Sequence, residues 1–162
     1  MKGVSVIIAG AIVIAISITA AYLVLNLGSP GPDRLKEMML MQEAKDTLKS
    51  IDNAVKSVSG EGQGSTRSPK ITITGGYYTI DAENETVAFV MDSFAQIIGI
   101  GVSKIEDGIN MRGEPGRVHL NLTYADFNIT GGTEFGRGTY TLIVRNEGYD
   151  DINQKQIVSI SV

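Results

Sequence analysis

The residue types that usually carry chemistry are sparse in this chain. Its 162 residues include no cysteine, which excludes disulfides, thiolate metal ligands and cysteine nucleophiles together. The single histidine, His119, lies in the alternating run 117–124, on the polar face that it shares with Arg117 and Asn121. No second histidine exists to complete a zinc site, so a solvated surface histidine is expected. We expect no catalytic residue and no cofactor.

One acidic cluster could in principle bind a metal ion. Glu147, Asp150 and Asp151 share a loop with Asn146 and Gly148, and either a calcium site or a solvated turn fits this composition. The D-x-D-x-D-G spacing of a calcium loop is absent, which favours the turn. The glycine-containing run 133–138 is followed by no helical pattern, so a phosphate-binding loop is not expected there.

The charge of the chain argues against a nucleic-acid partner. The formal net charge is −4, and it is spread along the sequence without long blocks. Binding to nucleic acid requires a basic face that neutralises phosphates. No such face is predicted.

The N-terminal segment is the most apolar part of the chain. Residues 4–25 carry no charge, and their clearly polar members are Ser5, Ser17 and Thr19. As a helix this run would measure about 33 Å, close to the thickness of a bilayer's hydrocarbon core. We therefore expect residues 4–27 to cross a membrane, with Lys2 on the cytoplasmic side and the rest of the chain outside. A cleaved secretory signal peptide is the alternative, although its apolar core is usually shorter.

Small residues recur inside the apolar segment. Ala11, Ala15 and Thr19 follow one another at intervals of four, a spacing that lets helix backbones approach closely. Two explanations remain open: an association face for identical helices, or the ordinary frequency of alanine in apolar helices.

Three triplets in the later part of the chain fit the acceptor pattern for N-glycosylation. They begin at Asn84, Asn121 and Asn128. All three lie beyond the apolar segment, and together they favour an extracellular location for that part. We expect Asn121 and Asn128 to project outward, because the apolar residues that flank each of them must take the opposite face of a strand.

A second helix is predicted over 33–58, after a break near 28–32 caused by Pro30 and Pro32. Apolar residues from Met41 to Val58 follow alternating steps of three and four. We expect the part from Leu48 to Val58 to pack on the following domain. The methionine-rich part, with Met38 and Met41, is expected to face neighbouring subunits. Residues 59–70 are expected to form a flexible linker.

From residue 71 the pattern changes to a period of two. Short alternating runs separated by turn residues predict a small antiparallel β-sandwich of six to eight strands over 71–162. Gly75 and Gly76 are expected to form a hairpin turn between the first two strands. One predicted strand lies at 96–100. The predicted fold class is α+β: a long hydrophobic N-terminal helix, kinked near 28–32, followed by this sandwich.

The start of the chain resembles the processing site of archaeal type IV pilins. Lys2 and Gly3 directly precede the helix that begins with Val4 and Ser5, and the segment 61–67 also resembles a stretch found in archaeal pilin-like proteins. The resemblance implies that residues 1–3 are a class III signal peptide and that a prepilin peptidase cuts between Gly3 and Val4. It also implies handling by a pilus assembly machinery.

Two functions follow from these expectations. The first is a structural subunit of an archaeal type IV pilus-like extracellular filament at the cell surface, reached via the cytoplasmic membrane. Its copies would assemble through the apolar helices, and the filament would serve adhesion. The alternative is a membrane-anchored extracellular β-sandwich module that binds the surface layer or an archaellum stator. Neither function requires an enzyme.

Overall fold

The structure is a computed structural model in which the described backbone covers residues 3–28, 31–132 and 134–162, and the described side chains cover 8–23, 31–132 and 134–162. The chain divides into two compact units, Met1–Lys36 and Glu37–Val162. The fold class is α+β, with two helices and several sheets in the described part, and the strand pairs are mostly antiparallel.

The secondary structure begins with two helices, which are followed by short strands. The helices are α1, Gly3–Gly28, and α2, Gly31–Glu61. The first six strands are β1, Thr66–Arg67; β2, Lys70–Ile73; β3, Tyr77–Asp81; β4, Thr86–Asp92; β5, Ser103–Glu106; and β6, Ile109–Glu114. The next six are β7, Arg117–Thr123; β8, Phe127–Thr130; β9, Glu134–Phe135; β10, Gly138–Thr141; β11, Ile143–Asp150; and β12, Lys155–Ser161.

Helix α1 carries the apolar segment, and its properties correct one expectation. The sequence predicted that residues 4–27 cross a membrane. Within the described part of the chain, neither helix is long and apolar enough to do so. The predicted kink near 28–32 depends on Ser29 and Pro30, which lie outside the described residues, so it stays a prediction.

Helix α2 confirms the spacing argument over its second half. Its buried side chains include Ala44, Leu48, Ile51, Val55 and Val58, which follow steps of four, three, four and three. This stripe lies on one face because a helix turns about 100° per residue. The stripe packs into the same hydrophobic core as the strands. Helix α2 therefore supplies one wall of the core of the larger unit.

Three sheets complete the described part of the larger unit. Six strands form one sheet in the order β5-β6-β7-β4-β3-β9, four form a second in the order β1-β11-β12-β8, and β10 pairs with β2. Among the described pairs, β12 with β8 is the parallel one. In β7 the side chains of Val118, Leu120 and Leu122 are buried, whereas the alternate residues are not. This is the register that the alternation predicted.

The core contains an aromatic cluster that joins sheet and helix. The ring of Tyr78 lies 4.7 Å from that of Phe89 and 5.6 Å from that of Phe135, measured between centroids. The Tyr78 hydroxyl donates a 3.5 Å hydrogen bond to the carbonyl oxygen of Ala44 on α2. Burial raises the pKa of Tyr78 well above its ordinary value, because the phenolate would lose its hydration.

The predicted hairpin at Gly75–Gly76 is wrong. Strand β2 pairs with β10, and β3 pairs with β4 and β9, so the two strands flanking the glycines belong to different sheets. Gly76 has φ of +74°, and a Cβ there would lie 2.5 Å from the carbonyl oxygen of Val90. The glycine therefore lets the chain pass close to β4 as it changes sheets.

The number of strands also differs from the expectation. The described part contains twelve strands instead of six to eight, and two of them have only two residues each. The run 96–100, predicted as a strand, forms a single bridge between Ile100 and Gly113. Within the predicted linker 59–70, α2 extends to Glu61 and β1 pairs with β11. Pairing with distant strands, which local patterns do not encode, accounts for these differences.

Candidate assembly and modification sites

The first candidate site is the surface of α1. Every described side chain from residue 8 to residue 23 is exposed. Its large aliphatic members are between 50% and 65% exposed: Ile8, Ile12, Val13, Ile14, Ile16, Ile18 and Leu23. They are distributed around the whole circumference of the helix, because consecutive residues point 100° apart. A helix that is apolar on all sides normally requires cover.

The small residues of α1 lie on one stripe of that surface. Ala11, Ala15 and Thr19 follow at intervals of four, which places them on nearly the same side. The Thr19 hydroxyl donates a 2.9 Å hydrogen bond to the carbonyl oxygen of Ala15, and the Ser17 hydroxyl donates one of 2.8 Å to that of Val13. Both hydroxyls are therefore satisfied within the helix, and a neighbour would meet methyl groups and backbone along this stripe.

The methionine-rich turn of α2 divides between surface and core. Met38 is 47% exposed and Met39 is 75% exposed. Met41, which the sequence grouped with Met38 as an association residue, is half-buried and packs with Leu40 against the core. Within this turn, the thioether groups exposed to another molecule are therefore those of Met38 and Met39.

A feature that sequence reasoning missed lies at the first residue of the larger unit. Glu37 is buried, and its carboxylate accepts hydrogen bonds from the Ser93 hydroxyl at 2.7 Å and from the amide of Phe94 at 2.9 Å. The amide of Ala95 donates a third at 3.1 Å. The loop after β4 is therefore fixed by a charge-assisted network. The side chain that this loop presents, Phe94, is 85% exposed.

The three glycosylation acceptors lie outside the core. Asn84 is exposed in the turn between β3 and β4, while Asn121 on β7 and Asn128 on β8 are half-buried. The neighbours of Asn128 on its strand include Ile129, which is fully buried and faces the other way. Asn84 donates a 2.7 Å hydrogen bond to Asp81 through its side-chain amide. Attachment of a glycan at Asn84 would require that bond to rearrange.

The predicted processing site lies at the margin of the described chain. Residues 1 and 2 lie outside the described residues, and no side chain is described before Ile8. The predicted cleavage between Gly3 and Val4 stays a prediction.

The acidic loop after β11 forms a hydrogen-bonded turn. The side-chain amide and backbone amide of Asn153 both donate to the Asp150 carboxylate, at 2.7 and 3.2 Å, and the amide of Ile152 donates at 2.9 Å. The Asn153 side chain and these amides lower the pKa of Asp150 because they stabilise its charged form. Across the described residues, no three His, Asp or Glu side chains are grouped to hold a metal ion.

The histidine lies on the polar face of β7, where the alternation placed it, but it is half-buried and its Nε2 atom is buried, so the expected solvated side chain is not found. His119 on β7 is 26% exposed, and its Nε2 atom lies 3.3 Å from a carboxylate oxygen of Glu114 on the neighbouring strand. No described arrangement joins it to a nucleophile. Comparison with known proteins identified no relative: no protein-family model, no curated protein and no solved structure matches this chain.

Proposed function

We propose that this chain is a structural subunit of an archaeal type IV pilus-like filament, assembled through α1 and displaying the β-rich unit at the cell surface. The observation that carries the proposal is the uncovered apolar surface of α1. All of its described side chains are exposed, and none is charged. Copies of the same helix in other subunits are the apolar surface against which these side chains can be buried.

The magnitude of the hydrophobic term supports assembly. Complete burial of one large aliphatic side chain contributes roughly 1.5–3 kcal/mol. Seven such side chains in α1 are about half exposed, so bundling them stabilises an assembly on the order of 10 kcal/mol per subunit. The stripe of Ala11, Ala15 and Thr19 allows close approach of the backbones.

The larger unit suits a filament coat. Its core is complete within one chain, since α2 and the sheets bury one continuous set of side chains. A sandwich-type arrangement of these sheets would leave the loops and the glycosylation acceptors on the outside, which favours an extracellular, adhesive role. The resemblance of residues 2–5 to a prepilin processing site agrees with this location.

The test is a substitution on the small-residue stripe. Ala15→Phe should overpack a close helix contact at about 1–3 kcal/mol per interface, which raises the critical concentration for assembly about tenfold or more. Ala15→Ser is the matched control, because serine keeps the side chain at the same position small. Sheared surface material and purified protein are imaged by negative stain, and assembly is measured by pelleting.

Wild-type protein that remains monomeric, with no filaments on producing cells, would contradict the proposal. Equal assembly of the Ala15→Phe and Ala15→Ser variants would show that the stripe is not the contact.

A further inference from the structure

The geometry points to an edge-to-edge contact in which strand β5 of one copy pairs antiparallel with β5 of a second copy, and Ile105 lies opposite its own counterpart. The contact lies in the larger unit and uses no part of α1, so it goes beyond the proposed assembly through that helix. Three observations carry it: a free strand edge, the direction of the backbone groups along that edge, and a sequence around Ile105 that is complementary to itself.

The outer edge of β5 is open in the described part of the chain. Strand β5 is the first strand of the six-stranded sheet, and it pairs with β6 on one side. No described strand pairs with its other side. The side chain of Ile105 on this strand is 72% exposed, and that of Val102, just before the strand, is 51% exposed. An exposed edge with unpaired backbone groups is a template for a further strand.

The turn after β5 decides which of its backbone groups face outward. Asp107 and Gly108 have φ of +53° and +81°, as the two central residues of a type I′ hairpin turn do. The residues that flank a two-residue turn exchange hydrogen bonds, so the backbone groups of Glu106 point toward β6. Because this direction alternates along an antiparallel pair, those of Lys104 also point toward β6 and those of Ile105 point away from it.

The hydrogen bonds before the strand agree with this alternation. The carbonyl oxygen of Val102 accepts the amide of Gly113 on β6 at 3.1 Å, so the Val102 carbonyl group points inward. Val102 lies two residues before Lys104 and therefore shares its direction. The outward backbone groups of β5 are those of Ser103 and Ile105, and no partner for them is found among the described residues.

The sequence around Ile105 is complementary to itself. Two identical strands that pair antiparallel about a two-fold axis place one residue opposite its own counterpart. With Ile105 at that position, its outward N–H and C=O groups exchange hydrogen bonds with the same groups of the second copy. Lys104 of each copy then lies opposite Glu106 of the other. These two pairs are of the non-hydrogen-bonded kind, in which opposing side chains are closest.

This pattern of charges identifies a second copy as the occupant. A lysine on an edge strand normally prevents pairing, and a register centred on Lys104 would indeed place two ammonium groups opposite each other. Glu106, two residues later, removes that obstacle in the register centred on Ile105. A strand of another protein would have to present the same charges in reversed order, whereas a second copy always presents them.

Both charges remain accessible to a second copy. The side chain of Lys104 is 66% exposed and that of Glu106 is 42% exposed. Within one copy they lie 3.0 Å apart, and Lys45 of α2 lies 3.1 Å from the other carboxylate oxygen of Glu106. Exposed pairs of this kind contribute little to the stability of a single copy, so each carboxylate can also accept the lysine of the second copy. Four groups of alternating charge then surround the two-fold axis.

Disulfide cross-linking tests the pairing, since the sequence contains no cysteine. Ile105→Cys places one thiol of each copy at the two-fold axis, where the Cα atoms of a hydrogen-bonded pair lie about 5.5 Å apart, within the range of a disulfide. The full chain, in a mild detergent that covers α1, should form linked dimers on oxidation. The matched control is Ile152→Cys, at a residue that is 92% exposed on a different loop, and it should form dimers about tenfold more slowly.

Charge variants of the Ile105→Cys chain test the register. Lys104→Glu leaves two acidic side chains beside the axis and Glu106→Lys leaves two basic ones, so each variant alone should form dimers about fivefold less or worse. An equimolar mixture should regain dimers as the heterodimer, identified by mass. Both variants lack the ion pair within the strand, and mixing does not restore that pair, so the recovery reports the contact between copies. The double variant Lys104→Glu, Glu106→Lys should dimerise like the parent chain.

The outcomes separate this contact from the proposed function. Dimers that form no faster from Ile105→Cys than from Ile152→Cys overturn the inference, as does a mixture that behaves like its separate components. Recovery in the mixture without recovery in the double variant overturns the register centred on Ile105. Ala15→Phe, which acts on α1, should leave the cross-linking unchanged, so filament assembly through α1 can fail while this contact stands, and the reverse.

Discussion

The side-chain amide of Asn146 donates a 3.0 Å hydrogen bond to the carbonyl oxygen of Val58, 88 residues away at the end of α2. Asn146 is only 2% exposed, and its side-chain oxygen accepts the amide of Gly148 at 2.9 Å. The carbonyl groups in the last turn of a helix have no partner within it, so a buried helix end needs such a cap. This one residue joins the end of α2 to the bulge in β11.

Replacement of Asn146 by alanine should lower the free energy of unfolding by about 1–3 kcal/mol, because the half-buried Gly148 amide and the Val58 carbonyl oxygen would each lose a hydrogen-bond partner. Asn146→Asp should lower the free energy of unfolding further, since a carboxylate would face the Val58 carbonyl oxygen. Urea unfolding measures the stability of both variants. Asn53→Ala, at an exposed position of α2, is the control and should change stability by less than about 0.5 kcal/mol. A loss for Asn146→Ala no larger than that of the control would contradict the capping role.

Glu37→Gln should destabilise the larger unit by about 1–3 kcal/mol and loosen the loop that follows β4. The neutral amide provides one acceptor oxygen where the carboxylate provides two, and its NH₂ group would oppose the donors from Ser93 and Ala95. Hydrogen exchange at the Phe94 and Ala95 amides should accelerate more than exchange elsewhere. Glu83→Gln, in an exposed turn, serves as the control. Unchanged exchange at Phe94 would show that the carboxylate does not fix the loop.

Two turns with the same chemistry predict acid-sensitive stability. Asp81 accepts the side-chain amide of Asn84, at 2.7 Å, and nearby backbone amides, as Asp150 does with Asn153. In both turns these hydrogen bonds lower the pKa of the aspartate. A lowered pKa in the folded state means that the stabilisation is fully present above the unfolded value, about 3.9, and is lost as the pH falls through the folded value.

Asp81→Asn and Asp150→Asn should therefore be less stable than the wild type near pH 6, and the difference should shrink below about pH 4. Urea unfolding between pH 2 and pH 7 measures it, and titration of the carboxyl carbons by NMR reports each pKa directly. A difference that stays constant down to pH 2 would mean that the charge of these aspartates contributes nothing.

Local patterns predicted some of the elements whose burial is periodic, although β6, whose burial also alternates, was missed. Helix α2 was predictable because Leu48, Ile51 and Val55 repeat at helical spacing, and β7 because Val118 and Leu120 alternate with polar residues. Strand β5 was missed because it lies at the edge of its sheet, where its residues are largely exposed, including Ile105 at 72%. An exposed edge strand carries no alternation of burial.

The candidate sites also divide into those that the sequence could predict and those that it could not. The apolar surface of α1 and its small-residue stripe are properties of a continuous segment, so the sequence contained them. The Phe94 loop depends on Glu37 and Ser93, which lie 56 residues apart in the chain. A glutamate in an amphipathic helix looks like an ordinary surface residue, and only the tertiary structure reveals that it is buried and bonded.

The same substitution should have opposite effects at two glycines. A Cβ on Gly113 of β6 would lie 2.5 Å from the carbonyl oxygens of both Ile98 and Gly99, because the preceding loop crosses β6 at this point. Backbone atoms cannot rotate away as a side chain can, so Gly113→Ala should lower the free energy of unfolding by about 1–3 kcal/mol.

Gly60, in the last turn of α2, has open space around the position of a Cβ. Gly60→Ala should raise the free energy of unfolding by up to about 1 kcal/mol, since alanine loses less backbone entropy in a helix than glycine does. Urea unfolding of the two variants in parallel separates the close approach at Gly113 from the general effect of adding a methyl group. If Gly113→Ala were as stable as Gly60→Ala, the carbonyl oxygens of Ile98 and Gly99 would not lie this close to β6.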